Sequence, residues 1–333
     1  MKKNISTLTA ISFAAVLALA ACGGGGGGGD SSGSSNGGSS ASAPTGASAP
    51  SVTNLSTPQY AAGSAQLAAF NLLNQQRQQC GFSALQDNAA LDQATQSHAQ
   101  YLAALNSGVS DTEVSGNAGF TGVTYGDRAA HFGYPQTVSV GGVSGGFYTP
   151  AKLTEDQYGQ QLVYGWLSGV YHIGVLVSPA TSIGIGESET TFNGFPEVYA
   201  SISVANAQAK LTSVPLTFPC QGTTGVAYSA GGETPTPPNT SGNWGTPVAV
   251  AGNLTDTIRL QSATMTDTSG NVITLQVLDS SSDPNNDIAA YEGVAYPKSP
   301  LAPNSTYAVS ITGTINGTPF SRSFTFTTGN IVG

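Results

Sequence analysis

The chain has 333 residues, only 8% of them charged, and a formal net charge of −9. An acidic, charge-poor surface repels phosphate backbones, which excludes nucleic acid as a partner class. The length exceeds one typical domain, so more than one packed unit is expected.

The N-terminus, "MKKNISTLTAISFAAVLALAAC", sets two lysines before an apolar run that ends in small residues, the pattern of a secretory signal. Its last four residues, Leu19-Ala20-Ala21-Cys22, resemble the bacterial lipobox, in which the cysteine is acylated and begins the mature chain. The alternative is a plain signal peptide cut near Ala21. No later apolar run approaches the roughly 20 residues of a membrane helix. Residues 1–22 therefore predict a membrane partner reached through lipid on Cys22, and an extracytoplasmic location. Residues 23–58, mostly Gly and Ser, have almost no side chain able to enter a core and read as a disordered tether with a reach of roughly 30 Å.

Residues 59–222 form the first expected domain. Leu67, Phe70, Leu73 and Arg77 recur at helical spacing and stop at Cys80-Gly81. Leu91, Ala94, His98 and Leu102 repeat the pattern, which ends by Gly108. A third helix is predicted to run from Thr154 through His172, with Tyr158, Leu162, Trp166 and Val170 on one stripe and Gln161, Ser168 and His172 on a more polar one. "SIGIGESE" and "PEVYASISVAN" then alternate as strands, Val198, Ala200, Ile202 and Val204 sharing a face. Helices followed by an antiparallel sheet give an α+β class. With Cys22 assigned to lipid, Cys80 and Cys220 remain, and in an exported protein they are expected to pair as a disulfide; two buried thiols are the alternative.

Residues 223–245, rich in Pro, Gly and Thr, read as a linker, and residues 246–333 as a small all-β sandwich of short β-branched strands. Asn316-Gly317 between the last two strands is a strong hairpin signal. The stretch "PLAPNSTYAVSITGTINGTPFSRSFTFTTG" resembles the closing half of bacterial immunoglobulin-like or fibronectin-type modules.

"LNQQRQQCGFSALQDNAALDQATQSHAQYL", "DTEVSGNAGFTGVTYGDRAAHFGY" and "WLSGVYHIGVLVSPATSIGIGE" together resemble the bacterial branch of the CAP superfamily (cysteine-rich secretory, antigen 5 and pathogenesis-related proteins; SCP domain) over about Ala65–Ala207. The resemblance implies an α-β-α sandwich, secreted or surface-attached. It implies a lipid, sterol, glycan or protein ligand, or a divalent cation, more than one shared catalytic activity. Arg128, Tyr134 and Trp166 are landmarks of the resemblance and read as packing residues.

Many members carry two histidines and two glutamates in a cleft, a set suited to zinc. Here Asp111 stands at the first histidine position, in Asp111-Thr112-Glu113; glycines replace the Glu-Asn pair after Gly133-Tyr134; one glutamate has no counterpart; His172 matches the last histidine. The candidate cleft site, and weak metal site, is therefore His172, Asp111 and Glu113, with a structural histidine bonded to one of the acids as the plainer reading. His98, on a packed helix face, reads as structural, and His131 carries no role. No His-Glu-x-x-His, Gly-x-Ser-x-Gly or P-loop occurs, and "GGVSGG" reads as a loop. "DSSSDPNND" lacks the spacing of a calcium loop and reads as a polar turn. The leading function is an anchored ligand-binding or surface-interaction protein with a degenerate cleft. A metal-assisted hydrolase of peptide or cell-wall substrates and a structural envelope module are the rivals.

Overall fold

The computed structural model describes residues 8–11, 53–150, 152–207, 210–240 and 242–333. Cys22, most of the expected leader and the tether up to residue 52 lie outside the described residues. From the leader, only a short strand is described, β1 (Leu8–Ile11), antiparallel to β3 (Val140–Tyr148) and parallel to β8 (Glu233–Thr234).

Two helices follow the predicted periodicity. α1 (Ala65–Gln79) is opened by Ser64, whose hydroxyl accepts from Leu67 N, and α2 (Ala89–Leu105) by Asn88; Asn106 closes α2 in the left-handed conformation. α3 (Tyr125–His131) begins with a reciprocal capping box between Thr124 and Asp127, and α4 (Glu155–Ser168) with one between Thr154 and Gln157. The third helix is shorter than predicted. It ends at Ser168, Gly169 is extended, and a separate turn, α5 (His172–Leu176), starts at His172.

The strands β2 (Gln86–Asp87), β3 (Val140–Tyr148), β4 (Ser182–Phe192), β5 (Phe195–Ala205) and β8 (Glu233–Thr234) form, with β1, a sheet ordered β2-β4-β5-β3-β1-β8. β5 lies between β4 and β3, antiparallel to both. Both of its faces are buried: Val198, Ala200, Ile202 and Val204 on one, Tyr199, Ser201, Ser203 and Ala205 on the other. Such two-sided burial marks a strand covered by helices above and below. α1, α4 and α5 share a core with Ile183, Ile185 and Ile202, while Leu91 and Thr95 of α2 lie directly over Gly184 and Gly186 on the opposite face.

The expected loop "GGVSGG" is instead the middle of β3. Its glycines carry no alternation to read, yet they are required by close approach. A Cβ on Gly142 would stand 2.5 Å from the Tyr125 ring, and one on Gly145 would stand 2.8 Å from Trp166 Nε1.

Buried Arg77 fastens α1 to the segment after α5. Its Nε donates to Ser83 O (3.0 Å), Nη2 to Ser178 O (3.1 Å), and Nη1 to Leu176 O. Cys80 and Cys220 are joined in a disulfide with an S–S distance of 2.13 Å.

The C-terminal part is all-β and contains two sheets. One runs β11 (Val272–Thr274), β10 (Ile258–Asp267), β14 (Thr306–Ile315), β15 (Thr318–Thr328), β7 (Thr223–Val226). The other runs β12 (Gln276–Asp279), β13 (Glu292–Tyr296), β9 (Val248–Ala251), β6 (Leu216–Phe218). Asn316 and Gly317 take positive φ between β14 and β15, as an Asn-Gly hairpin turn requires.

The segment expected as a linker, residues 223–245, is built into both parts. β7 pairs with β15, β8 belongs to the first sheet, and buried Trp244 donates from Nε1 to Ser168 O at 2.9 Å. One apolar cluster runs without interruption from Leu73 and Trp166 to Tyr296 and Phe326. Its composition explains the difference: the prolines and glycines suggest a spacer, but Val226, Ala230 and Trp244 are apolar and enter that cluster. Residues 53–58, expected to end the tether, also make fixed contacts, with Leu55 N donating to Asp87 O at 2.8 Å.

Candidate functional site

The two candidate acids lie in the loop between α2 and α3, and both are 2% exposed. Glu113 accepts from the backbone N–H of Thr121 (2.6 Å) and Gly122 (3.3 Å), and its Oε1 stands 3.0 Å from His98 Nδ1. Arg128 Nε is 4.0 Å from the same carboxylate. Burial acts upward on the Glu113 pKa but is outweighed by the His98 and Thr121 hydrogen bonds and by Arg128, so the carboxyl sits below its ordinary value. His98 faces an acceptor on each side, Ser110 O at 2.8 Å and Glu113, and burial pushes its pKa down.

Asp111 points its Oδ1 at Ser144 N of β3 (3.0 Å) and accepts from the Tyr125 hydroxyl. Its carbonyl takes Arg128 Nη2 at 2.9 Å, and the Arg128 guanidinium lies 4.5 Å from the Tyr125 ring centroid. Arg128 is thus more than packing. It is the cation around which the Asp111–Thr124 loop is folded onto β3.

His172 is fully buried at the start of α5, and its Nε2 stands 3.8 Å from Glu233 Oε1. The Glu233 carboxylate, delivered by β8, accepts from Val170 N (2.8 Å), Tyr171 N (2.9 Å) and His172 N (3.1 Å). It closes the break between α4 and α5. Burial pushes its pKa up to about 8 against the pull of those three N–H groups. The described close contacts thus place Glu113 with His98 and Arg128, and His172 with Glu233. The three expected residues fall in two clusters, each with its own partner. Among the described residues, no group of three or more His, Cys, Asp or Glu side chains is arranged to hold a metal ion. His131 is exposed and stacks edge-on to Phe132.

A third polar cluster was not singled out from the sequence. The Tyr60 hydroxyl donates to Asp92 Oδ1 at 2.7 Å, beside Asp87, whose other oxygen takes Gln59 N at 2.7 Å. Burial, then a hydrogen bond shared with Asp87, raises the Asp92 pKa to about 8. A cavity of about 440 Å³ opens above this group. The spacing of Asp92 and Gln96, four apart on α2, was the one available signal; Glu233, within a Pro- and Gly-rich stretch, offered none.

With this geometry in view, residues 70–202 match the model of the cysteine-rich secretory protein family, CAP. The match includes His98, Asp111, Glu113, Arg128 and His172 but not Glu233, and it supports a CAP domain in that part of the chain. A search of curated proteins finds no match.

Proposed function

We propose that the chain is an extracytoplasmic ligand-binding protein, held to a bacterial membrane by lipid on Cys22, with a CAP domain followed by an Ig-like module. The observation that favours binding over turnover is the commitment of the candidate acids. Glu113 is spent on Thr121, Gly122 and His98, and Asp111 on Ser144 and Tyr125. A general acid or base must reach substrate, and these groups are buried. A zinc ion drawn to Asp111, Glu113 and His172 would have to break bonds that fold the loop, which costs affinity.

The test uses the full chain expressed with its leader in a bacterium. An alkynyl palmitate label should be incorporated, and Cys22→Ala should abolish it. The purified chain should bind isolated envelope saturably, give no saturable heat with zinc, and release nothing from pooled peptides or cell-wall glycans. Zinc-dependent turnover that disappears in His172→Ala would establish the hydrolase reading in its place.

A further inference from the structure

The 440 Å³ cavity lies on the open edge of β4, where that strand runs past the end of β2. β2 pairs only with Ser182 and Ile183. Beyond them, side chains close the edge. Ile185 N donates to Tyr60 Oη (3.1 Å) and Asp92 Oδ1 (3.2 Å), while the Gln96 amide gives Nε2 to Glu187 O (2.8 Å) and receives Glu187 N (3.2 Å). These contacts make a rigid polar floor. The walls add Gln66, Gln93 and Ser97, whose side chains make no hydrogen bond among the described residues, with the Phe132 ring beside them.

We propose that this cavity binds an uncharged carbohydrate, with the free amides of Gln66 and Gln93 taking its hydroxyls and Phe132 facing a sugar ring. The inference deepens the binding reading above and rests on it. The volume falls within the range of about 300–1,000 Å³ typical of small-molecule sites. Each sugar hydroxyl both donates and accepts, and so does each primary amide or serine hydroxyl, so the two surfaces satisfy each other. Aromatic rings supply flat apolar contact for the C–H face of such a ring.

Other ligand classes fit worse. An alkyl chain would cover the half-buried Gln66 amide and Ser97 hydroxyl without giving them partners, which is unfavourable for each. An anion finds no Lys or Arg in the lining, and a cation finds one carboxyl, Asp92. Burial and the hydrogen bond shared with Asp87 raise the pKa of that carboxyl, which disfavours its charged form. A peptide strand is disfavoured on β4 here, because the edge N–H groups of Ile185 and Glu187 and the Glu187 carbonyl are already bonded.

Glucose, N-acetylglucosamine, cellobiose and chitobiose, titrated into the full chain by calorimetry and saturation-transfer NMR, provide the test, with laurate as the lipid control. At least one sugar should saturate with Kd on the order of 1 mM or tighter. Gln66→Ala and Gln93→Ala remove no internal hydrogen bond, so both should fold, and each should weaken binding about fivefold, the loss of one hydrogen bond. Failure of all four sugars, unchanged affinity in the double variant, or saturable laurate binding at this cavity overturns the inference. If the chain still binds envelope while no sugar competes, the inference alone falls; if it binds neither, the binding reading falls with it.

Discussion

Removing the Glu233 carboxylate should release the junction between α4 and α5. Glu233→Ala leaves three buried N–H groups, those of Val170, Tyr171 and His172, without their acceptor. Each unsatisfied buried donor costs about 1–3 kcal/mol, and water entering the vacated space recovers part of this, so the expected loss is about 3–5 kcal/mol. In a body of this size that corresponds to a fall in Tm of roughly 2 °C per kcal/mol. Glu233→Gln keeps one acceptor oxygen but turns an NH2 toward an N–H, and should cost about 1–3 kcal/mol.

The pH dependence separates this account from a simple packing defect. Burial raises the Glu233 pKa from 4.5 to about 8, so between those values the native state holds a proton that the unfolded chain has released. Stability from this group is then greatest below pH 4.5 and declines as pH rises to 8, by at most about 5 kcal/mol. Gln has no such proton, so the deficit of Glu233→Gln relative to wild type should shrink from pH 5 to pH 8. Thermal melts across that range, with amide exchange read at Val170, Tyr171 and His172, make the measurement. A deficit that is flat with pH, or unchanged protection of those amides in Glu233→Ala, would refute the reasoning.

Two other perturbations test the remaining ties. Reducing the Cys80–Cys220 bond opens a loop with a sequence separation of 140 residues and should cost up to about 5 kcal/mol, seen as a lower Tm in dithiothreitol; an unchanged Tm would mean that the bond contributes nothing. Glu113 has a native pKa below its ordinary 4.5, so it contributes stability that is present above pH 4.5 and is lost as pH falls through the native value. Glu113→Gln should remove that acid-side loss in urea titrations, and an unaltered acid limb would count against the Glu113–His98–Arg128 arrangement.

The parts legible in the sequence were those with a repeated apolar period. Leu67, Phe70 and Leu73 of α1 and Leu91 and Leu102 of α2 encode their helices directly, and the Asn316-Gly317 turn encodes the last hairpin. β3 was illegible because its residues were selected by what lies against them. Tyr125 and Trp166 need glycine opposite, and a glycine run has no alternation to read. The break after Ser168 was illegible for a related reason. The local spacing continues through His172, but the acceptor that stabilises the break is Glu233, 61 residues beyond His172 in the chain. Of the candidate site, the burial of Asp111 and Glu113 against α2 and α3 was within reach, whereas the partners Ser144, Thr121 and Glu233 depend on tertiary placement.

Scarcity of charge gives the acids of this chain a common employment. Buried N–H groups at irregular turns need acceptors, and a carboxylate offers two oxygens with several lone-pair directions. Asp111 serves Ser144 N, Glu113 serves Thr121 and Gly122, Glu233 serves three N–H groups at the start of α5, and Asp283 serves Asn285, Asp287 and Ile288. Asp283 also accepts the Tyr171 hydroxyl at 3.0 Å, so the polar turn "DSSSDPNND" joins the all-β part to α5. An acid used this way holds backbone, and asking it to hold a metal or move a proton sets that task against the fold. Free of that duty are the Gln66 and Gln93 amides at the β4-edge cavity, so an uncharged ligand there would demand the least rearrangement from this molecule.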